Sequence, residues 1–353
     1  MADPNLEAMY RLFTWRITSN YIPHWDFERM KQEIRTWDDW CRVYSAWGAR
    51  HRRLGDEATL AGDARAAGLH YVRAGLFYHW ASFLFPHRPE EFGTALNEMA
   101  DCWRRAAPLT QPPMEPLEVP FEGTRLPGYL RRPPGVERPP LVVLVPGADS
   151  TKEELFNLSE HILAQGVATV AFDGPGHGAV SFELKLRPDY EVPLRAVVDH
   201  LHERPDLDTG RLALGGISYG GMFACRGAAY DERVRAVFSM SSWYSPAGRF
   251  PHQDAVSQTG LRHYMGEDAA EVQARMTMAG AAERIRVPLL QVYGALDPAS
   301  PPEQARRVEA EARGPTTTVI YDDGVHVCNN VWYKARPLVA RWLADNLGGR
   351  DGS

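Results

Sequence analysis

Cysteine is scarce, with only Cys41, Cys102, Cys225 and Cys328 in 353 residues, all far apart. This spacing excludes a disulfide framework and a thiolate metal cluster, so all four are expected to be free thiols. No apolar run approaches the roughly 18 residues that a membrane-spanning helix needs. The segment Met1–Arg11 carries acidic residues and lacks the apolar core of a secretion signal, which reads as a cytoplasmic chain without a membrane partner. There is no basic run, and the net charge of −6 argues against a nucleic-acid partner. The run Asp173-Gly174-Pro175-Gly176-His177-Gly178 matches neither nucleotide-binding fingerprint, and no metal-ligand spacing is present. No metal or cofactor is therefore expected.

What is present is the composition of a globular protein, 44% hydrophobic and 24% charged, in a chain long enough for one large domain and a second one. Residues 1–115 read as a helical domain. From Ala64 to Phe85, the residues Ala67, Tyr71, Ala74, Tyr78 and Ala81 fall on successive turns, as in tightly packed helices with small residues at the contacts. The proline-rich segment Pro108–Pro120 marks the boundary. Residues 116–353 then read as a second, α/β domain. Leu117–Phe121 and Thr124–Arg131 form a hairpin around Glu122-Gly123. Leu141–Val145, Ala168–Phe172, Arg211–Gly215, Val234–Met240, Pro288–Tyr293 and Thr316–Tyr321 are strands. Helices are expected over Glu153–Gln165, Tyr190–His202, Met222–Tyr230, Pro302–Ala312 and Arg336–Leu347. Such alternation calls for a mainly parallel sheet with helices on both faces. The interval 242–286 breaks the rhythm and reads as a helical cap insertion.

The chain is organised around Leu212–Gly221, an apolar strand that ends in Gly216-Ile217-Ser218-Tyr219-Gly220-Gly221. A strand that turns this sharply into a helix needs small residues beside the corner, and it lifts the Ser218 hydroxyl above the sheet. A nucleophilic serine requires a base, and the base an orienting carboxylate. Both follow at strand ends in the order serine, acid, histidine: Asp297 in Gly294-Ala295-Leu296-Asp297-Pro298 and His326 in Gly324-Val325-His326. His177 is the rival base, and its place before the serine favours a pocket-lining or structural role. The turn Pro146-Gly147-Ala148-Asp149-Ser150-Thr151-Lys152-Glu153-Glu154 offers the Ala148 amide as an oxyanion donor alongside that of Tyr219. Ser150 or Thr151 suits a helix N-cap, and Glu153 and Glu154 suit the positive end of that helix. Asp149, His177, Trp243, Tyr244 and Tyr78 are candidates for the walls of a substrate pocket.

Together, the helical N-terminal part, Pro-Gly-Ala-Asp-Ser-Thr-Lys-Glu-Glu, Asp-Gly-Pro-Gly-His-Gly, Gly-Ile-Ser-Tyr-Gly-Gly, Leu-Asp-Pro and Gly-Val-His resemble the FrsA-like α/β-hydrolases. The resemblance is to the group that contains 2,6-dihydroxypseudooxynicotine hydrolase and fungal polyketide-shortening hydrolases. It covers nearly the whole chain and implies an α/β-hydrolase fold, a Ser218, Asp297, His326 triad and an active site between the two domains. A homodimer is implied as well. The implied activity is acyl cleavage of a hydrophobic aromatic or polyketide-like molecule, either next to a ketone (C–C) or at an ester. The group's carbon–carbon hydrolase uses an extra acid after the strand corresponding to Val234–Met240. Here 241–253 contains none, and Asp254 is the first. An acyltransferase or cyclase using the same acyl-serine is the alternative within catalysis. A non-catalytic binding protein with the hydrolase fold is the alternative outside it.

Overall fold

The computed structural model describes residues 3–348. Residues 1, 2 and 349–353, at the outer ends of the two expected domains, lie outside the described residues. The chain divides into two compact units, one of residues 1–115 with 252–263, the other of 116–251 with 264–353.

The first unit is helical, with α1 (Pro4–Thr18), α2 (His24–Glu33), α3 (Trp40–Leu60), α4 (Ala64–Ser82) and α5 (Pro89–Ala106). Asp3 starts α1 by accepting the amides of Asn5 and Leu6, and Asp63 starts α4 by accepting that of Ala66. Close helix contacts occur where a glycine meets a ring. A Cβ at Gly48 would stand 2.9 Å from the Tyr78 ring, and one at Gly75 would stand 2.4 Å from the Trp103 indole. The aromatics of α4 are buried core, as their helical spacing implies.

The second unit carries an eight-stranded sheet. Its strands are β1 (Met114–Phe121), β2 (Thr124–Arg131), β3 (Leu141–Val145), β4 (Ala168–Phe172), β5 (Leu212–Ile217), β6 (Val234–Met240), β7 (Leu289–Gly294) and β8 (Thr316–Tyr321). The order across the sheet is β1-β2-β4-β3-β5-β6-β7-β8. β2 runs antiparallel to β4, and β4 through β8 are parallel. Glu122 and Gly123 both take positive φ, which matches the twist of a two-residue hairpin loop. Every residue of β3, β4, β5 and β7 is buried, as a sheet covered on both faces requires.

The helices that follow in the chain are α6 (Phe156–Leu163), α7 (Glu191–His202), α8 (Tyr219–Tyr230), then α9 and α10 described below, α11 (Glu303–Glu311) and α12 (Trp332–Leu347). On one face, α6 and α12 cover Val142, Leu144, Phe238, Met240 and Val292. On the other, α8 comes so close to β5 that a Cβ at Gly227 would stand 2.5 Å from Leu214.

The interval 242–286 contains two short helices, α9 (Ala255–Met265) and α10 (Ala269–Arg275), between loops, and residues 252–263 cluster with the helical unit. The expected helix at 153–165 is shorter and begins as a 3-10 turn, Lys152–Leu155, ahead of α6. All four cysteines are buried and free. Among the described residues no helix is long and apolar enough to cross a membrane, and no group of side chains is arranged to hold a metal ion.

Candidate active site

The end of β5 turns into α8 through Ser218, whose φ of 53° and ψ of −123° are unusual for a residue with a side chain. The flanking glycines make this turn possible. A Cβ on Gly216 would stand 2.3 Å from the Gly220 backbone, and one on Gly220 would stand 2.2 Å from Val145 O. The Ser218 amide donates to Met240 O at 2.8 Å, which fixes the corner to the neighbouring strand. Backbone strain maintained by so many neighbours concentrates at functional positions.

Ser218, Asp297 and His326 meet although they lie on three separate loops. Asp297 follows β7 and His326 follows β8. Ser218 Oγ lies 3.1 Å from His326 Nε2, and His326 Nδ1 lies 2.7 Å from Asp297 Oδ2. The second Asp297 oxygen accepts the amides of Ala299 and Ser300 at 2.8 and 3.0 Å. Burial pushes the Asp297 pKa up, but the facing His326, by charge and by hydrogen bond, outweighs it and holds the carboxyl below its ordinary value. The carboxylate acceptor makes Nδ1 the protonated nitrogen of His326 and leaves Nε2 as the acceptor for the serine proton.

Ala148 and Tyr219 flank the same corner. A Cβ on Gly147 would stand 3.4 Å from Ser218 Cβ, so the loop after β3 lies against the elbow. Among the described residues neither the Ala148 nor the Tyr219 amide finds an acceptor. Gly147 O accepts from His177 Nε2 at 3.0 Å and from the Ser150 amide at 3.0 Å. The Gly147 carbonyl and the Ala148 N–H belong to one trans peptide and point in opposite directions. His177 therefore sets the direction of the Ala148 N–H.

His177 is wholly buried and also accepts from the Tyr190 hydroxyl, at 2.9 Å. It supports the loop from beneath. Burial lowers its pKa from 6.5 to about 4, which has a consequence for stability. Below pH 6.5 the unfolded chain protonates this imidazole while the native one stays neutral, so native stability falls with pH until about 4. The full difference is on the order of 3 kcal/mol. His177→Gln keeps a donor for Gly147 O and should flatten the decline in unfolding midpoint between pH 6.5 and 4. An unchanged slope contradicts this. His51, also held near 4 by burial, retains its own share.

The loop beyond Ala148 departs from the sequence expectation. Thr151 has the backbone of an N-cap but makes no side-chain cap bond. Glu153 is buried beside Lys152, whose ammonium also reaches Asp173 Oδ2 at 2.8 Å, while Glu154 accepts from the Ser150 hydroxyl. Glu153 and Glu154 stand in the first turn of this 3-10 helix, where its positive end suits them, while Lys152 is held inside between Glu153 and Asp173, the residue after β4, which brings a carboxylate under the loop.

Of the other pocket candidates, Asp149 lies in the same loop, with Oδ1 3.8 Å from a Cβ built on Gly147. Trp243 packs on the Tyr219 ring at 6.0 Å and lies under the Arg249 guanidinium at 4.8 Å. Tyr244 is engaged elsewhere: its hydroxyl donates to Glu311 on α11 at 2.7 Å, and Arg307 stacks on its ring. Tyr78 lies in the helical unit, its ring against Gly48. Asp254 is a helix cap, accepting the amide and hydroxyl of Ser257 at the start of α9. Sequence reasoning missed Tyr190, Gln273, which donates to the Tyr219 hydroxyl at 2.6 Å, and the Ser241-Ser242 pair at the exit of β6. Only the serine pair had a local signal, two small polar residues at the end of a buried strand.

A mainly parallel eight-stranded sheet with helices on both faces and a strained serine between β5 and α8 is the α/β-hydrolase fold. Residues 38–245 match the model of the esterase FrsA-like family, and the chain belongs to that family. It is similar to the 2,6-dihydropseudooxynicotine hydrolase of Paenarthrobacter nicotinovorans, with 28% identity over 322 residues, covering 90% of this chain and 86% of the relative. A crystal structure of 2,6-dihydroxy-pseudo-oxynicotine hydrolase superposes with a TM-score of 0.85 at 26% identity, over 94% of this chain and 95% of the other. The alpha/beta hydrolase pydG of an Acremonium species is 36% identical over 222 residues, 59% of this chain. The matched part spans about half, 52%, of that relative's length.

Proposed function

We propose that this chain is a serine hydrolase that cleaves an acyl bond of a hydrophobic small molecule through an acyl-serine intermediate. One observation carries the reading: the unbroken line from Asp297 through His326 to Ser218, at 2.7 and 3.1 Å, ending on the strained elbow. In this scheme Ser218 Oγ attacks the substrate carbonyl while its proton passes to His326 Nε2, and Asp297 stabilises the imidazolium. The Ala148 and Tyr219 amides hold the tetrahedral oxyanion, each contributing about 3 kcal/mol as oxyanion donors do elsewhere. Collapse breaks the bond to the leaving group, which takes the proton from His326. Water, deprotonated by the same imidazole, then attacks the acyl-serine, and the acid is released. One water is consumed per turnover.

The leaving group is an alkoxide for an ester, or an enolate for a 1,3-diketone, in which the second carbonyl delocalises the charge. A relative named as a pseudooxynicotine hydrolase supports a small-molecule substrate. The test is turnover of an aryl ester and its matching 1,3-diketone, followed by product mass. A carboxylic acid with one oxygen from water is expected from at least one of them. Products formed without added water redirect the reading to acyl transfer or cyclisation, and turnover undiminished in Ser218→Ala sinks it.

A further inference from the structure

The exit of β6 bonds to all three loops of the site. Met240 O accepts the Ser218 amide at 2.8 Å. Ser241 N–H donates to Val292 O of β7 at 2.8 Å, and Ser241 Oγ accepts the amide of Val327, the residue after His326, at 2.8 Å. Ser242 O accepts the Tyr293 hydroxyl at 3.0 Å and the Ser300 hydroxyl. Ser300 in turn gives its amide to Asp297. Nucleophile, acid and base are thus tied to three consecutive residues that the mechanism above does not use.

Strain marks the same segment. Ser241 has φ of 45°, and Val327 and Cys328 have φ of 58° and 54°. A β-branched residue in the left-handed region is a genuine outlier that persists only where its surroundings hold it. The Ser241 oxygen provides that hold at Val327, and the Cys328 amide closes the turn on Val325 O at 2.8 Å. Ser241 is wholly buried, so water cannot replace it. Because Oγ accepts from Val327, its own proton is free to turn to the neighbouring Asp297 carboxylate, whose pKa it helps to lower.

We propose that Ser241 is a positioning residue, its hydroxyl coupling the Asp297 carboxylate to the His326 loop and so keeping the imidazole in line with Ser218. The proposal rests on the serine-hydrolase reading and adds a residue to it. The other titratable groups facing Asp297 are Tyr293 and Cys328, both pushed up by burial and therefore uncharged through the neutral range.

The experiment measures the rate at which a fluorophosphonate labels the protein between pH 5 and 9, by intact mass, for wild type, Ser241→Gly and Ser241→Ala. Glycine suits the positive φ, so Ser241→Gly removes the hydroxyl without added strain. It should label about tenfold more slowly, the loss expected when a hydrogen bond to a charged group is removed, and should stay folded, losing less stability through the unpaired Val327 amide than Ser241→Ala does. With one donor fewer, the carboxylate binds the imidazolium proton more tightly, so the acid limb of the profile should move to higher pH. Ser241→Ala should share the slow labelling and also unfold at lower temperature, since it keeps the strain. A wild-type rate and profile in Ser241→Gly would overturn the proposal alone. No adduct on the wild-type protein would overturn the serine-hydrolase reading, and the proposal with it.

Discussion

His326→Ala should lower turnover by roughly 10⁴-fold or more while leaving the protein folded. The imidazole is the only base within hydrogen-bond reach of Ser218 Oγ among the described residues, at 3.1 Å. Without it the hydroxyl has no proton acceptor and the leaving group no acid. The fall should be in the chemical step, so kcat drops with little change in KM. The fold should survive because the Asp297 carboxylate still accepts two amides, from Ala299 and Ser300. What the carboxylate loses is the partner that outweighs its burial. A carboxyl with a lowered folded pKa contributes stability that is present above its unfolded value, 3.8, and lost as pH falls through the folded one. The variant should therefore match wild type in stability least well at neutral pH and converge with it in strong acid. Urea unfolding at pH 7 and pH 3 checks this alongside the kinetics.

Gly220→Ala should have the largest effect on stability. The added methyl would stand 2.2 Å from Val145 O and 2.3 Å from Pro146 O. Both obstacles are backbone, one at the end of a buried central strand and the other at the start of the Ala148 loop, so no side chain can rotate away. Relief requires α8 to move off the sheet, which carries Tyr219 with it. Overpacking of this kind costs about 3 kcal/mol or more, equivalent to a fall in unfolding midpoint of roughly 10 °C for a unit of this size. Activity should fall further than stability explains, because the nucleophile and a proposed oxyanion donor move together. A midpoint within about 2 °C of wild type would show that the elbow is looser than its contacts imply.

Much of this was legible in the sequence, for physical reasons that differ by element. Leu141–Val145, Ala168–Phe172, Val234–Met240 and Thr316–Tyr321 have the bounds read from their apolar and β-branched runs. The helix expected over Met222–Tyr230 begins earlier, at Tyr219, because Gly220 there serves close approach to the end of β3 and Gly221 close approach to Ser239 and Ser242. The start of α12 at Trp332 was missed because Pro337 sits within the helix, and proline reads as a boundary. The meeting of Ser218, Asp297 and His326 was inferable because each stands at the end of its own strand. The contacts of His177 with Gly147, of Lys152 with Asp173 and of Ser241 with Val327 were not. Each joins residues distant in sequence, and only the strand order makes them neighbours.

If Ser218 is an activated nucleophile, a fluorophosphonate adds to it covalently, and intact mass records the adduct. One adduct per chain is expected on the native protein, mapped to the peptide containing Ser218, and none on a folded Ser218→Ala variant. An adduct that persists in Ser218→Ala, or its absence from the native protein, would contradict that activation.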